Sequence, residues 1–209
     1  MYLNGICFIT DRSCSALPVP DMVRSVLEAG VTFIQYREKE KTRRQIYEEA
    51  VVLRELTRAF HAVLIINDHA DIALAVDADG VHLGQDDLPL KEARRIMGGR
   101  IIGISTHSLE QAREAEAGGA DYIGFGPVFQ TVTKDAGAPK GIDILRTITE
   151  NVTIPVAAIG GIGPDNVSDV MNAGAGCVAV ATAICRGDIR DNAGRFVRIL
   201  QEGFRDQGV

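Results

Sequence analysis

The feature that most limits what this chain can fold into is its alternation of short β-rich runs with amphipathic helical stretches, maintained from end to end. Candidate strands fall at 5–10, 31–37, 62–67, 80–83, 101–105, 122–126, 154–159 and 177–181, and helical periodicity is clearest at 43–60, 109–117, 164–173 and 192–205. Strict alternation of this kind implies a parallel sheet. Eight units with no break in composition favour closure over an open doubly wound sheet. The expected architecture is therefore α/β, a single (β/α)8 TIM barrel, with residues 1–209 as one domain.

A weak internal repeat supports that reading. The texts Glu28-Ala29-Gly30-Val31, Val76-Asp77-Ala78-Asp79-Gly80-Val81, Ala117-Gly118-Gly119-Ala120-Asp121 and Asn172-Ala173-Gly174-Ala175-Gly176 each close a helix and open a strand. Glycine past a helix end supplies the left-handed conformation of a C-cap.

Charge and cysteine content narrow the function. Lys and Arg number 22 against 28 Asp and Glu, a formal charge of −6, which argues against nucleic acid or an anionic membrane as the main partner. Cys7, Cys14, Cys177 and Cys185 show no C-x-x-C or zinc-like spacing and read as reduced thiols. The N-terminus has no basic region followed by a sustained apolar one, and no apolar run approaches the roughly 18 residues a bilayer needs. A cytoplasmic protein with small-molecule substrates is expected, and self-association into a homo-oligomer is left open.

In such a barrel the chemistry sits on loops after the C-terminal ends of the strands. After strand 2, Gln35, Arg37 and Lys39 alternate and can point together into the mouth, an arrangement suited to phosphate or pyrophosphate. The alternative is a solvated strand end. Asp68 after strand 3 and Asp87 after strand 4 could ligate one hard cation such as Mg2+, completed by water and substrate phosphate. Either could instead cap a helix, and capping is the expectation for Asp86. Ser105 and Thr106 end strand 5, where a hydroxyl can bond a phosphate or cap the next helix. His69, His82 and His107 lack metal or catalytic spacing and read as structural or peripheral.

The longest loop, 127–140, follows strand 6 and carries Thr131-Val132-Thr133-Lys134, hydroxyls and a cation on a natural lid. Strand 7 ends in Gly160-Gly161-Ile162-Gly163 and strand 8 in Ala181-Thr182. Glycines there free backbone amides for an anion, at the frequent phosphate site of these barrels.

With these residues laid out, nearly the whole chain resembles the thiamine-phosphate synthase family. The resemblance is carried by Ile9-Thr10-Asp11-Arg12, Gln35-Tyr36-Arg37-Glu38-Lys39, Asn67-Asp68 and the run from Ala78 to Pro89. It continues in Gly103-Ile104-Ser105-Thr106-His107-Ser108, the run from Asp121 to Phe129, and Gly160-Gly161-Ile162. It implies that Gln35, Arg37, Lys39, Asn67, Ser105 and Lys134 hold an aminopyrimidine diphosphate, with Arg37, Lys39, Lys134 and Ser105 catalytic. It further implies Mg2+ on Asp68 and Asp87, and a thiazole phosphate on Thr131, Thr133, Gly161, Ala181 and Thr182. The implied reaction joins the two heterocycles and releases pyrophosphate. Gln130, where the lid motif usually has proline, His69 and the Ala138-Pro139-Lys140-Gly141 stretch depart from the family pattern without removing any of these contacts.

Two rivals use the same barrel. A thiazole tautomerase would be expected to carry a histidine after strand 6, where this chain reads Gly126-Pro127-Val128-Phe129. A non-catalytic thiazole-phosphate-binding regulatory protein would not need Arg37, Lys39, Asp68, Asp87 and Lys134 together.

Overall fold

All eight predicted runs form strands, with ends that differ from the sequence reading by a residue or two, as strand ends usually do. The structure, a computed structural model, describes residues 4–131 and 137–206. The strands are β1 (Gly5–Ile9), β2 (Phe33–Tyr36), β3 (Val63–Asn67), β4 (Gly80–Leu83), β5 (Ile101–Thr106), β6 (Tyr122–Phe125), β7 (Val156–Ile159) and β8 (Cys177–Val180). The helices are α1 (Val19–Glu28), α2 (Arg43–Ala59), α3 (Ala70–Ala75), α4 (Leu90–Met97), α5 (Leu109–Ala117), α6 (Ile142–Asn151), α7 (Val167–Asn172), α8 (Thr182–Cys185) and α9 (Ile189–Asp206). Every strand pairs in parallel with the next, and β8 returns to β1 through Gly5↔Cys177 and Cys7↔Ala179, closing the barrel.

Period-two alternation divides each strand between two cores. Outward residues such as Phe8, Ile34, Leu64, Val81, Ile102, Ile123, Ala158 and Val178 pack under the helices in one large apolar layer. Inward residues, including Ile9, Phe33, Ile65, Tyr122, Ala157 and Ala179, form a smaller cluster inside the barrel. Fully burying a Leu, Ile, Val or Phe side chain stabilises by about 1.5–3 kcal/mol, so the outer layer supplies most of the driving force.

The repeat at the helix ends has a defined geometry. Gly30, Gly119 and Gly174 have positive φ, and so do His61 and Asp77 at the equivalent ends of α2 and α3. The following amides reach back five residues, as in Val31 N to Val26 O at 3.1 Å and Ala78 N to Ala73 O at 2.8 Å, the Schellman pattern. In the second repeat the left-handed residue is thus Asp77, while Gly80 opens β4 where a Cβ would lie 2.2 Å from the Ile101 carbonyl oxygen.

Two helices differ from expectation at points that shape the mouth. α8 is a four-residue helix that the sequence reading passes over. It is held from behind by Asn192, whose side-chain amide donates to Ile184 O at 3.2 Å and Arg186 O at 2.6 Å. The last helix begins earlier than predicted because Asp188 accepts from Asp191 N at 2.9 Å and caps it. Among the described residues no helix is long and apolar enough to cross a membrane.

Candidate active site

A cavity of about 670 Å3 opens at the C-terminal ends of the strands and descends among the inward residues of β1–β8. The alternation read from sequence holds for Gln35 and Arg37 and breaks before Lys39, three residues past the end of β2. Gln35 and Arg37 line the cavity, while Tyr36 turns outward and donates to Glu49 Oε2 at 2.6 Å. Lys41 donates to Glu49 Oε1 at 2.6 Å and lies 3.9 Å from Glu38, so the outward residues after β2 are tied to α2. The Arg37 backbone is pinned on both sides by Thr10, whose hydroxyl accepts from Arg37 N at 2.9 Å and donates to Arg37 O at 3.0 Å. Asp11 lines the same wall. Burial works against its ionisation, but hydrogen bonds from Ser13 and Cys14 and the Arg37 charge outweigh that and hold its carboxyl below the usual value.

Lys39, Asp68 and Asp87 stand together beside the cavity and are not part of its lining. The Lys39 ammonium donates to Asp68 Oδ2 at 2.5 Å. Asp68 leaves β3 at φ 66°, a left-handed conformation that aspartate tolerates, and its amide donates to His82 O at 2.8 Å. Asp87 Oδ2 accepts from Gly84 N at 2.6 Å. Burial, reinforced by the facing Asp68 carboxylate, pushes the Asp87 carboxyl up against the pull of the Gly84 amide and Lys39. Two carboxylates forced this close, with an ammonium already beside them, form a site that favours a cation.

Neither carboxylate caps a helix. The N-cap of α3 is His69 and that of α4 is Pro89, and neither makes a side-chain cap bond. Asp86, expected to cap, is exposed and lies three residues before the Pro89 cap position, out of its reach. Among the described residues no group of three or more His, Cys, Asp or Glu is placed to hold a metal ion. A cation here would have two protein carboxylates and draw its other ligands from water and phosphate, the usual pattern for Mg2+.

Ser105 and Asn67 line the cavity, and Ser105 is free for that because Ser108 caps α5, accepting from Gln111 N at 3.2 Å. His82 and His107, read from sequence as structural or peripheral, also line it. They were passed over because metal and catalytic spacing was the test, whereas strand alternation would have pointed His82 inward. His82 bonds Tyr122 Oη and Ser105 Oγ, each at 2.9 Å. Burial pulls its pKa down to about 4, against a small opposing pull from Asp68, so the ring is neutral. His107 Nδ1 lies 2.9 Å from Gly126 O, and His69 remains at the surface beside Arg43.

The β6–β8 side is built differently. Gly126, joined to Pro127 by a cis peptide bond, Gln130, Thr131, the 160–163 turn, Ala181, Thr182 and Ala183 line it. Gly161 has φ 64°, and a Cβ there would lie 2.4 Å from Gln130 O. Val128 N and Phe129 N donate to Ile159 O at 2.8 Å and Gly160 O at 3.0 Å, so the two loops pack main chain on main chain. In α8 the Ile184 and Cys185 amides both donate to Ala181 O at 3.0 Å, and the Thr182 and Ala183 amides before them have no carbonyl within the helix to bond. Thr133 and Lys134 lie outside the described residues. Arg186 lines this side too and was missed, because it follows a helix the sequence pattern did not announce.

Comparison with known proteins identifies the family and matches the fold. The family model described as thiamine monophosphate synthase matches residues 6–184. The thiamine-phosphate synthase of Chloroflexus aurantiacus is 52% identical over 182 residues, covering 85% of this chain and 84% of the relative. That of Halalkalibacterium halodurans is 47% identical over 203 residues, covering 96% and 94%. Among solved structures, a thiamine phosphate pyrophosphorylase from Pyrococcus furiosus superposes with a TM-score of 0.91 at 43% identity, covering 97% of this chain and 98% of that one.

Proposed function

The chain belongs to the thiamine monophosphate synthase family, and we propose that it joins 4-amino-2-methyl-5-(diphosphooxymethyl)pyrimidine to 4-methyl-5-(2-phosphooxyethyl)thiazole, giving thiamine phosphate and pyrophosphate. The observation that carries this is the facing pair Asp68 and Asp87 with Lys39 between β2 and β3, set beside a cavity walled by Gln35 and Arg37. On this reading Gln35, Arg37, Lys39, Asn67, Ser105 and Lys134 hold the pyrimidine diphosphate. Thr131, Thr133, Gly161, Ala181 and Thr182 hold the thiazole phosphate. Residues 1–209 act as one barrel domain, in the cytoplasm, on two small molecules. The four free cysteines and the excess of acidic residues fit that assignment.

The residues suit Mg2+: two carboxylates are pressed together where an ammonium already stands. The metal, when bound, would neutralise diphosphate charge and stabilise it as a leaving group. On this reading Arg37, Lys39 and Lys134 would supply positive charge to the same oxygens. The carbon–oxygen bond to the diphosphate breaks with its electron pair going to oxygen, and the thiazole nitrogen lone pair forms the new carbon–nitrogen bond. No side-chain nucleophile is needed. Burial pushes the inward thiols of Cys7 and Cys177 up, which keeps them protonated and inert. The cavity walls hold the two rings in line and keep water from capturing the electrophilic carbon.

Pyrophosphate release by purified protein is expected only with both heterocycles and Mg2+ present, and EDTA should abolish it. Release without the thiazole phosphate, or none while that phosphate still binds, would overturn the synthase reading.

A further inference from the structure

Tyr122 and His82 meet in the floor of the cavity, 1% and 7% exposed, and the strands on either side make room for them. A Cβ at Gly103 would lie 2.1 Å from Tyr122 Cζ and 2.5 Å from His82 Nδ1, and one at Gly124 would lie 3.0 Å from His82 Cε1. The Gln35 side chain stands beside the Tyr122 hydroxyl, which bonds His82. His82 Nε2 then reaches Ser105 Oγ at 2.9 Å, and the Ser105 backbone is fixed by Gln85, whose side-chain amide donates to Ser105 O at 2.6 Å. Four polar side chains from β2, β6, β4 and β5 thus stand in one line across the barrel, and Tyr122, His82 and Ser105 are hydrogen-bonded along it.

The direction of that line follows from ordinary acid–base character. A neutral imidazole offers one donor and one acceptor. A phenol is a better donor and a poorer acceptor than an aliphatic alcohol, so Tyr122 gives its proton to His82 Nδ1. Nε2–H then donates to Ser105, and the Tyr122 oxygen is left to accept from the Gln35 amide nitrogen.

We propose that Gln35, Tyr122, His82 and Ser105 form a directional hydrogen-bond relay with His82 as its Nε2–H tautomer, which leaves Ser105 as a donor and the Gln35 carbonyl as an acceptor toward the ligand. His82 and Tyr122 are positioning residues, acting through the two side chains that touch substrate. The ligand assignment rests on the synthase reading, and the relay geometry does not. On that reading the Gln35 carbonyl accepts from the exocyclic amine of the pyrimidine, and Ser105 donates to an acceptor on the same molecule. The relay therefore selects an amino-pyrimidine over its oxo counterpart, which would present a carbonyl to a carbonyl.

The test is nitrogen NMR of protein labelled with 15N-histidine at neutral pH. The four histidines are His61, His69, His82 and His107, and the His82→Gln variant identifies the signals of interest. An unprotonated Nδ1 with a protonated Nε2 is expected. The reverse tautomer, or a charged ring, would overturn the relay. In kinetics, Tyr122→Phe keeps the ring and removes only the hydroxyl. The KM for the pyrimidine diphosphate should rise roughly tenfold, about the worth of one hydrogen bond. The KM for the thiazole phosphate should not change, and discrimination against the oxo analogue should fall. Equal changes in both KM values, or none, would contradict the proposal. An Nε2–H tautomer in a protein that releases no pyrophosphate would uphold the relay and remove the synthase reading alone.

Discussion

On the β2–β5 side of the mouth the groups that face the cavity are side chains. Gln35, Arg37, Asn67 and Ser105 line it, with Lys39, Asp68 and Asp87 beside them. On the β6–β8 side they are largely main chain, presented by the 160–163 turn and the opening of α8, with hydroxyls and Arg186 at the margin. Both sides suit anions. The first does so with charges that can be removed one at a time, and the second with a backbone shape that exists only while two loops stay in contact. A side-chain site should therefore fail by losing charge, and a main-chain site by losing fit.

The largest expected effect of breaking this contrast is on the charged side. Asp68→Ala should lower kcat/KM for the pyrimidine diphosphate by about a thousandfold and blunt its response to Mg2+, while binding of the thiazole phosphate is retained. A parallel loss of both substrates in calorimetry would show that the two sides are not separate.

Acid sharpens the contrast next, because only the side-chain half titrates. Burial lowers the His82 pKa from 6.5 to about 4. Between those values the unfolded chain binds a proton that the folded chain refuses. The contribution is fully present above about pH 6.5 and is lost as pH falls, up to about 3 kcal/mol by pH 4. Urea unfolding of wild type and His82→Gln should show a stability gap at pH 7 that closes toward pH 4.5. A gap of constant size would mean that the imidazole is not held neutral by the fold.

On the main-chain side, Gly161→Ala adds a Cβ 2.4 Å from Gln130 O at a φ of 64°. It should cost about 1–3 kcal/mol and raise the KM for the thiazole phosphate several-fold, leaving the pyrimidine diphosphate alone. Thermal unfolding with the two KM values checks this, and a change confined to the pyrimidine side would reverse the assignment.

What could be read from sequence follows the same division. The barrel was legible because alternation and helix-end repeats are one-dimensional patterns, and Gln35 and Arg37 because period-two spacing fixes which residues share a face; Lys39 lies past the end of β2 and stands outside the lining. The fates of Asp68 and Asp87 depended on where α3 and α4 begin, which spacing leaves open. Only the structure shows His69 and Pro89 at the cap positions. The Gly160-Gly161 signal named the turn but not its packing against Phe129 and Gln130, a contact between distant loops. The place of His82 at the cavity was not legible for another reason. Its partners, Tyr122 and Ser105, lie 40 and 23 residues away, so no local motif announces the relay. α8 and Arg186 were missed because four residues carry no periodicity.

On the proposed reading the two sides bind their anions by independent means, one through carboxylate-held metal and cationic side chains, the other through main-chain amides. Calorimetric titration of each substrate alone, with Mg2+ and with EDTA, tests it directly. The pyrimidine diphosphate should bind at least tenfold more weakly without the metal, while the thiazole phosphate binds equally well in both. Equal metal dependence for the two, or none for the diphosphate, would contradict it.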